Sequence, residues 1–176
     1  MPQNPSGELL TGQMRTRQSP LFDSIAVATT TALAASYKMF GNVSGTTANP
    51  EITNMQQSFK LPGLNKFKVQ SLRCVFHAAA ADITSFCKLY TVRLKVAGIL
   101  QLEAPADYWP GGAGVSTAAS NGINDPRAVI GFDLDPILIT DDMNFFVEAI
   151  TGGTPFTTTA AFFMRVYLDG RLWEPA

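Results

Sequence analysis

The strictest pattern in the chain is the alternation at 162–169. Phe162, Met164, Val166 and Leu168 hold one parity, and Phe163, Arg165, Tyr167 and Asp169 the other. A period of two suits a pleated strand with one buried face and gives a helix nothing to bury. The same period runs from Ile25 through Val27, Thr29, Thr31, Leu33, Ala35 and Tyr37 to Met39, over one strand or two. Thr29-Thr30-Thr31 argues against a helix there, because β-branched and hydroxylated side chains are poor helix formers. Further strands are expected at 55–61, 66–76, 129–134, 137–140 and 145–150, separated by Gly, Pro, Asn and Asp.

Two local details follow from parity. Phe67 and Val69 are out of phase with Leu72, Cys74 and Phe76, so a β-bulge near Gln70-Ser71 is expected to keep both sets on the core side. In the hairpin at 92–104, a three-residue connection Val96-Ala97-Gly98 pairs Leu94 with Leu100 and Val92 with Leu102. Arg93 then faces Gln101, with Glu103 diagonal to it. One short helix is expected, with Asp82 as its N-cap and Ile83, Phe86, Cys87 and Tyr90 on its apolar side. Asp169-Gly170 reads as a turn into the terminal residues 171–175.

Residues 1–20 read as an N-terminal arm, broken by Pro2, Pro5, Gly7, Gly12 and Pro20, with Arg15 and Arg17 its only basic residues. Such an arm either stays flexible or orders against a neighbour. Residues 21–176 then form the folded domain. Eight short strands, one short helix and abundant turn residues predict an all-β fold, a single eight-stranded antiparallel jelly-roll sandwich.

Composition narrows function more than it names it. Thirteen Lys+Arg against fourteen Asp+Glu leave a net charge of −1, without the overall basicity of a dedicated nucleic-acid binder. No apolar run approaches the roughly 18 residues of a membrane-spanning helix, and the Met1-Pro2-Gln3-Asn4-Pro5 start does not look like a signal peptide. Only 15% of residues are charged, against about 25% in ordinary soluble domains. The segments 24–37, 108–124 and 149–164 carry no charge at all. Surface of that kind is expected to lie against other protein.

Catalytic chemistry has little to draw on. His77 is the only histidine, so a metal site would need carboxylate or thiol partners from distant strands. Cys74 and Cys87 are expected as buried thiols, with a bridge between them the alternative. No G-x-S-x-G elbow or phosphate-binding loop occurs, and the acidic pairs Asp133/Asp135 and Asp141/Asp142 lack EF-hand spacing and read as turn residues. Asn42-Val43-Ser44 matches a glycosylation acceptor without a secretion signal to give it context. Tyr108 and Trp109 sit in the long Pro/Gly-rich loop 105–127, either stacking on a sugar or protein partner or anchoring the loop to the core edge. Trp173 either plugs the end of the sandwich or meets a neighbouring subunit. The expectation is a non-enzyme without metal or cofactor. Arg15, Arg17, Tyr108, Trp109 and Trp173 are its candidate subunit contacts.

The run Asp135-Pro136-Ile137-Leu138-Ile139, the segment from Asn144-Phe145-Phe146-Val147 to Glu148-Ala149-Ile150, and the ending Met164-Arg165-Val166-Tyr167-Leu168-Asp169-Gly170-Arg171-Leu172 resemble the last strands of jelly-roll viral coat proteins. With the hairpin at 92–104 and the chain's size, the resemblance is to the small major capsid protein of tailless icosahedral phages with an internal membrane, the lineage of Thermus phages and haloarchaeal viruses. It spans roughly 21–176 and implies a virion protein made in the host cytoplasm. Its implied partners are a second copy, as a homodimer, and a larger second capsid protein, with a vertex protein and internal membrane lipid as further contacts. It implies no specific nucleic acid and no catalysis. The alternative is a carbohydrate- or receptor-binding β-sandwich module of a phage fibre or spike, using Tyr108 and Trp109.

Overall fold

The computed structural model describes residues 14–44, 52–109 and 137–175. They form two antiparallel sheets with one short helix. The first sheet contains β1 (Met14–Gln18), β2 (Leu21–Val27), β4 (Lys66–His77), β7 (Ile137–Thr140) and β9 (Phe162–Pro175), in the order β1-β9-β4-β7 with β2 also on β9. The second contains β3 (Ser36–Met39), β5 (Tyr90–Val96), β6 (Ile99–Pro105) and β8 (Phe145–Thr151), in the order β3-β8-β5-β6. One apolar cluster joins them. Leu72, Cys74, Met164 and Val166 come from the first sheet, Val92, Leu94 and Val147 from the second, and all are fully buried. The all-β class and the two-sheet arrangement are as the alternation predicts, but the described residues hold nine strands rather than eight, the exposed β1 being one that the alternation did not mark.

β9 is the spine of the first sheet. Its alternation buries Phe162, Met164, Val166 and Leu168, as expected. β2 and β1 lie end to end along one of its edges in a single register, Leu21 opposite Leu168 and Gln18 opposite Arg171. Ser19 donates to the Gly170 carbonyl at 3.3 Å, and Pro20, which has no N–H, interrupts the ladder. Residues 14–18 are thus a sheet strand, which corrects the expectation of an arm for that stretch; 1–13 lie outside the described residues. All five residues of β1 are exposed, so no apolar periodicity marked it.

The bulge in β4 is present. Val69 pairs with Gly170 and Ser71 with Asp169, leaving Gln70 as the extra residue and burying both parity sets. Gly170 is not a turn. β9 runs straight through it, and a Cβ there would lie 2.1 Å from the Lys68 carbonyl oxygen. Glycine is required by the close approach of two backbones, not by a reversal.

Three other expectations are corrected. The hairpin turn is the two-residue Ala97-Gly98, with φ of 51° and 78° and Val96 opposite Ile99. A register shift between Leu94 and Lys95 makes Gln101 the extra residue, so Leu94 meets Leu102 and Arg93 meets Glu103. A bulge, not a longer turn, keeps the faces unmixed. The helix α1 (Ala80–Leu89) starts at N-cap Ala79, and Asp82 lies within its first turn. The buried Asp82 carboxylate instead accepts from the Thr159 N–H and hydroxyl, both at 3.0 Å, and from the Ala160 N–H at 3.3 Å. Residues 55–61 form no strand; Gln57 and Lys60 make an isolated bridge. The strand expected at 129–134, with Asp133 and Asp135, lies outside the described residues.

Buried Asp23 ties β2 to the chain beyond β3. Its carboxylate accepts from the backbone N–H groups of Phe40 and Ser24 and from the Asn42 side-chain amide. The Asn42 amide also reaches the Ser24 carbonyl at 3.4 Å, so the nitrogen of the acceptor motif is committed to the fold.

Candidate interaction surface

The candidate contact residues fall into two groups. Arg15, Arg17 and Trp173 lie at the β1–β9 end, the two arginines on one face and Trp173 on the other. Glu174 Oε1 accepts from Arg15 Nε at 2.9 Å and from Arg17 Nε at 3.2 Å. Both guanidiniums project into solvent, so these pairs contribute little to stability. Arg17 and Glu174 also border a small cleft floored by Leu21, Met55, Leu61 and Leu172. Trp173 points to the opposite face of the sheet, half-buried between Thr16 and Lys66 on the neighbouring strands.

Tyr108 and Trp109, at the end of a short 3-10 turn (Ala106–Tyr108), part company. Tyr108 is 59% exposed, whereas Trp109 is only 3% exposed. The Trp109 indole N–H is shared between the Val92 and Ala104 carbonyls, each at 3.2 Å. Trp109 is therefore a core-edge anchor, which corrects its assignment as a subunit contact. Tyr108 lies edge-on against it and remains available. At the other end of the edge strand β6, next to the hairpin turn, Ile99 (64%) and Leu100 (47%) are exposed.

A polar network stands on the outward face of the second sheet. Glu148, buried despite its outward parity, accepts from Arg93 Nε and Nη2 at 3.0 and 2.8 Å and from the Ser36 hydroxyl at 2.8 Å. Lys95 Nζ is 3.8 Å away. Burial alone would raise the Glu148 pKa, but the Ser36 and Arg93 hydrogen bonds, with the Arg93 and Lys95 charges, outweigh it and hold the carboxyl below its usual range. Buried Tyr90 donates to the Ala34 carbonyl at 2.7 Å and stacks on Phe86 at 4.2 Å. Burial, with Tyr37 nearby, pushes its phenol up to about 12.

Cys74 and Cys87 are both thiols, and burial pushes the Cys74 pKa up, which suppresses the nucleophilic thiolate. Asp141 accepts from the Leu64 N–H at 2.6 Å, and Asp142 from the Thr140 hydroxyl. Among the described residues, no group of three His, Cys, Asp or Glu could hold a metal ion. No helix among them is long and apolar enough to cross a membrane.

What the sequence reading missed is position. Glu148 sits in an apolar strand and gave no signal of its partners, and the exposed edge at Ile99 and Leu100 was hidden by the wrong turn. Comparison with protein-family models finds no match, and comparison with curated proteins finds none either.

Proposed function

We propose that the chain is a structural coat protein whose two-sheet sandwich has the strand course of a jelly roll. It self-assembles and packs with a second, larger coat protein into the shell of a virion, and it does so without catalysis. The observation that supports this reading best is the apolar edge of the second sheet. Ile99 and Leu100 are exposed where β6 begins, Tyr108 is exposed just past its other end, and among the described residues no strand pairs with its outer edge. An edge strand with exposed aliphatic side chains is a template for pairing with another chain; the charge and proline that guard such edges in soluble monomers stand in the second half of β6, at Glu103 and Pro105, and leave its Ile99–Leu100 end open. Among the described residues, the exposed uncharged residues of 29–36 and 152–154 supply further neutral surface for burial between subunits. The sugar-binding alternative loses support, because one of its two aromatics, Trp109, is already buried and hydrogen-bonded.

Negative-stain electron microscopy of the concentrated protein tests the proposal. Ordered arrays or shells are expected for the natural sequence and dispersed particles for Ile99→Lys with Leu100→Lys. Arrays that persist unchanged in the double variant would exclude β6 as the assembly edge.

A further inference from the structure

The charges of this near-neutral chain are not evenly spread. Register fixes which residues share the outward face of the first sheet, because directly opposed residues point the same way. Phe67, Ile139 and Leu172 are buried, so the alternate positions look outward. One outward row reads Thr16, Trp173, Lys66, Thr140, and the next Gln18, Arg171, Lys68, Leu138. Beyond the bulge the face continues with Asp169 and Ser71, then Phe22, Tyr167 and Arg73, then Ser24, Arg165 and Val75, then Ala26 and Phe163, with His77 opposite Phe163 in register, the small Ser24, Ser71 and Val75 being buried among their larger neighbours.

Among the described strand residues this face carries five cations, Lys66, Lys68, Arg73, Arg165 and Arg171, and one carboxylate, Asp169. It holds a local excess of four positive charges in a chain of net charge −1. Asp169 is taken by Arg73, whose Nη2 lies 2.9 Å from Oδ1. The nearest acidic turn, Asp141-Asp142, follows β7 at the Lys66 end of the face, where its carboxylates accept from the Leu64 N–H and the Thr140 hydroxyl and retain their charge. Lys66, Lys68 and Arg171 make no ion pair with the described residues.

Aromatic rings are interleaved with these cations. The Arg73 guanidinium lies 4.7 Å from the Tyr167 ring centroid, and that of Arg165 lies 5.3 Å from Phe22 and 5.2 Å from Phe163. Arg165 also donates to the Ser24 hydroxyl at 3.1 Å and the Tyr167 hydroxyl at 3.3 Å. The planes are thereby held in place, with little left to order when a ligand arrives.

We infer that the outward face of the first sheet binds single-stranded nucleic acid without sequence preference, Lys66, Lys68 and Arg171 taking phosphates and the ring-mounted guanidiniums of Arg73 and Arg165 offering stacking surfaces to bases. A positively charged track with flat π-faces is the combination that single strands need. The face is a sheet, with no projecting helix to enter a duplex groove. Its Phe22, Phe163 and Tyr167 rings are capped by guanidiniums, which keeps them from dipping into an acyl layer and favours a nucleic acid over an anionic membrane. The inference stands apart from the coat-protein reading, since a monomer with this face would bind equally.

The test is fluorescence anisotropy of a labelled oligothymidylate of about 16 nucleotides, titrated with the full chain at low and fourfold higher salt. Three phosphates neutralised on a single strand give a log–log salt slope of about −2, hence a loss of about 20-fold over that range. Lys66→Gln with Lys68→Gln and Arg171→Gln should abolish most of that dependence and weaken low-salt binding at least tenfold. Lys88→Gln, on the exposed side of α1, should change neither. Circular dichroism checks that the triple variant is folded; the salt slope of the natural sequence decides independently if it is not. No binding at low salt, binding undiminished in the folded triple variant, or uptake by phosphatidylserine vesicles with the oligonucleotide left unbound would each overturn the inference.

Discussion

Gly170→Ala is the sharpest perturbation of the fold. The added Cβ would lie 2.1 Å from the Lys68 carbonyl oxygen, 3.0 Å from its carbon and 2.8 Å from Phe67 Cζ. A carbon and a carbonyl oxygen in contact sit about 3.3 Å apart, so β4 and β9 must separate by more than about 1 Å at the bulge. Overpacking of this kind costs about 1–3 kcal/mol, and each ladder hydrogen bond lost adds about 1 kcal/mol. A total near 3–5 kcal/mol is expected, a large share of the roughly 5–15 kcal/mol that holds a domain together. Two glycines serve as controls. Gly98 has open space but a φ of 78°, so alanine there costs about 1–2 kcal/mol of backbone strain. Gly152 has open space and no such φ, so alanine is expected within about 0.5 kcal/mol of neutral. Urea denaturation at one fixed protein concentration measures all three. With a slope near 2 kcal/mol/M, Gly170→Ala should lower the midpoint by about 1.5–2.5 M. A shift no larger than that of Gly98→Ala would refute the close approach, and with it the reading of β9 as one unbroken strand.

Other consequences are equally measurable. Glu148 has a folded pKa below its unfolded value near 4.3, so its contribution is complete above about pH 5 and is lost as pH falls through the lowered folded value. Glu148→Gln should therefore flatten the acid limb of the stability–pH curve and cost about 2 kcal/mol at neutral pH, read from urea midpoints across pH. Trp109→Phe leaves the Val92 and Ala104 carbonyls without the indole donor, and a loss of about 1–2 kcal/mol is expected in thermal unfolding. Arg15→Ala with Arg17→Ala should cost less than about 1 kcal/mol per pair, because both partners of Glu174 are exposed. Amide exchange should at the same time be fast in β1 and slow in the 162–168 part of β9.

What the sequence disclosed follows from where burial is one-sided. β5, β8 and β9 bury alternate residues against a common core, so their period of two was plain, and the phase slip at Gln70 was readable as a bulge because both flanks are buried. β1 buries nothing and left no pattern. Asp82 and Gly170 were misread for a shared reason. Each residue type has a common local use, as a cap or a turn, and here each serves a non-local one: a carboxylate for the 159–160 backbone and a gap for Lys68. The hairpin erred because turn length and bulge compensate for each other, and parity alone cannot separate them. Of the candidate contacts, Arg15, Arg17, Tyr108 and Trp173 reach the surface, whereas Trp109 is spent on two backbone carbonyls. The basic face escaped because net charge sums over the chain and registers nothing of how two strands align Lys68 with Arg171.

Self-association is the central claim, and light scattering across a concentration series tests it most directly. The coat-protein account predicts a mass that rises above the 18.9 kDa of one chain to a dimer or larger assembly, and a return toward one chain for Ile99→Lys with Leu100→Lys. A strict 18.9 kDa particle at every concentration would contradict it.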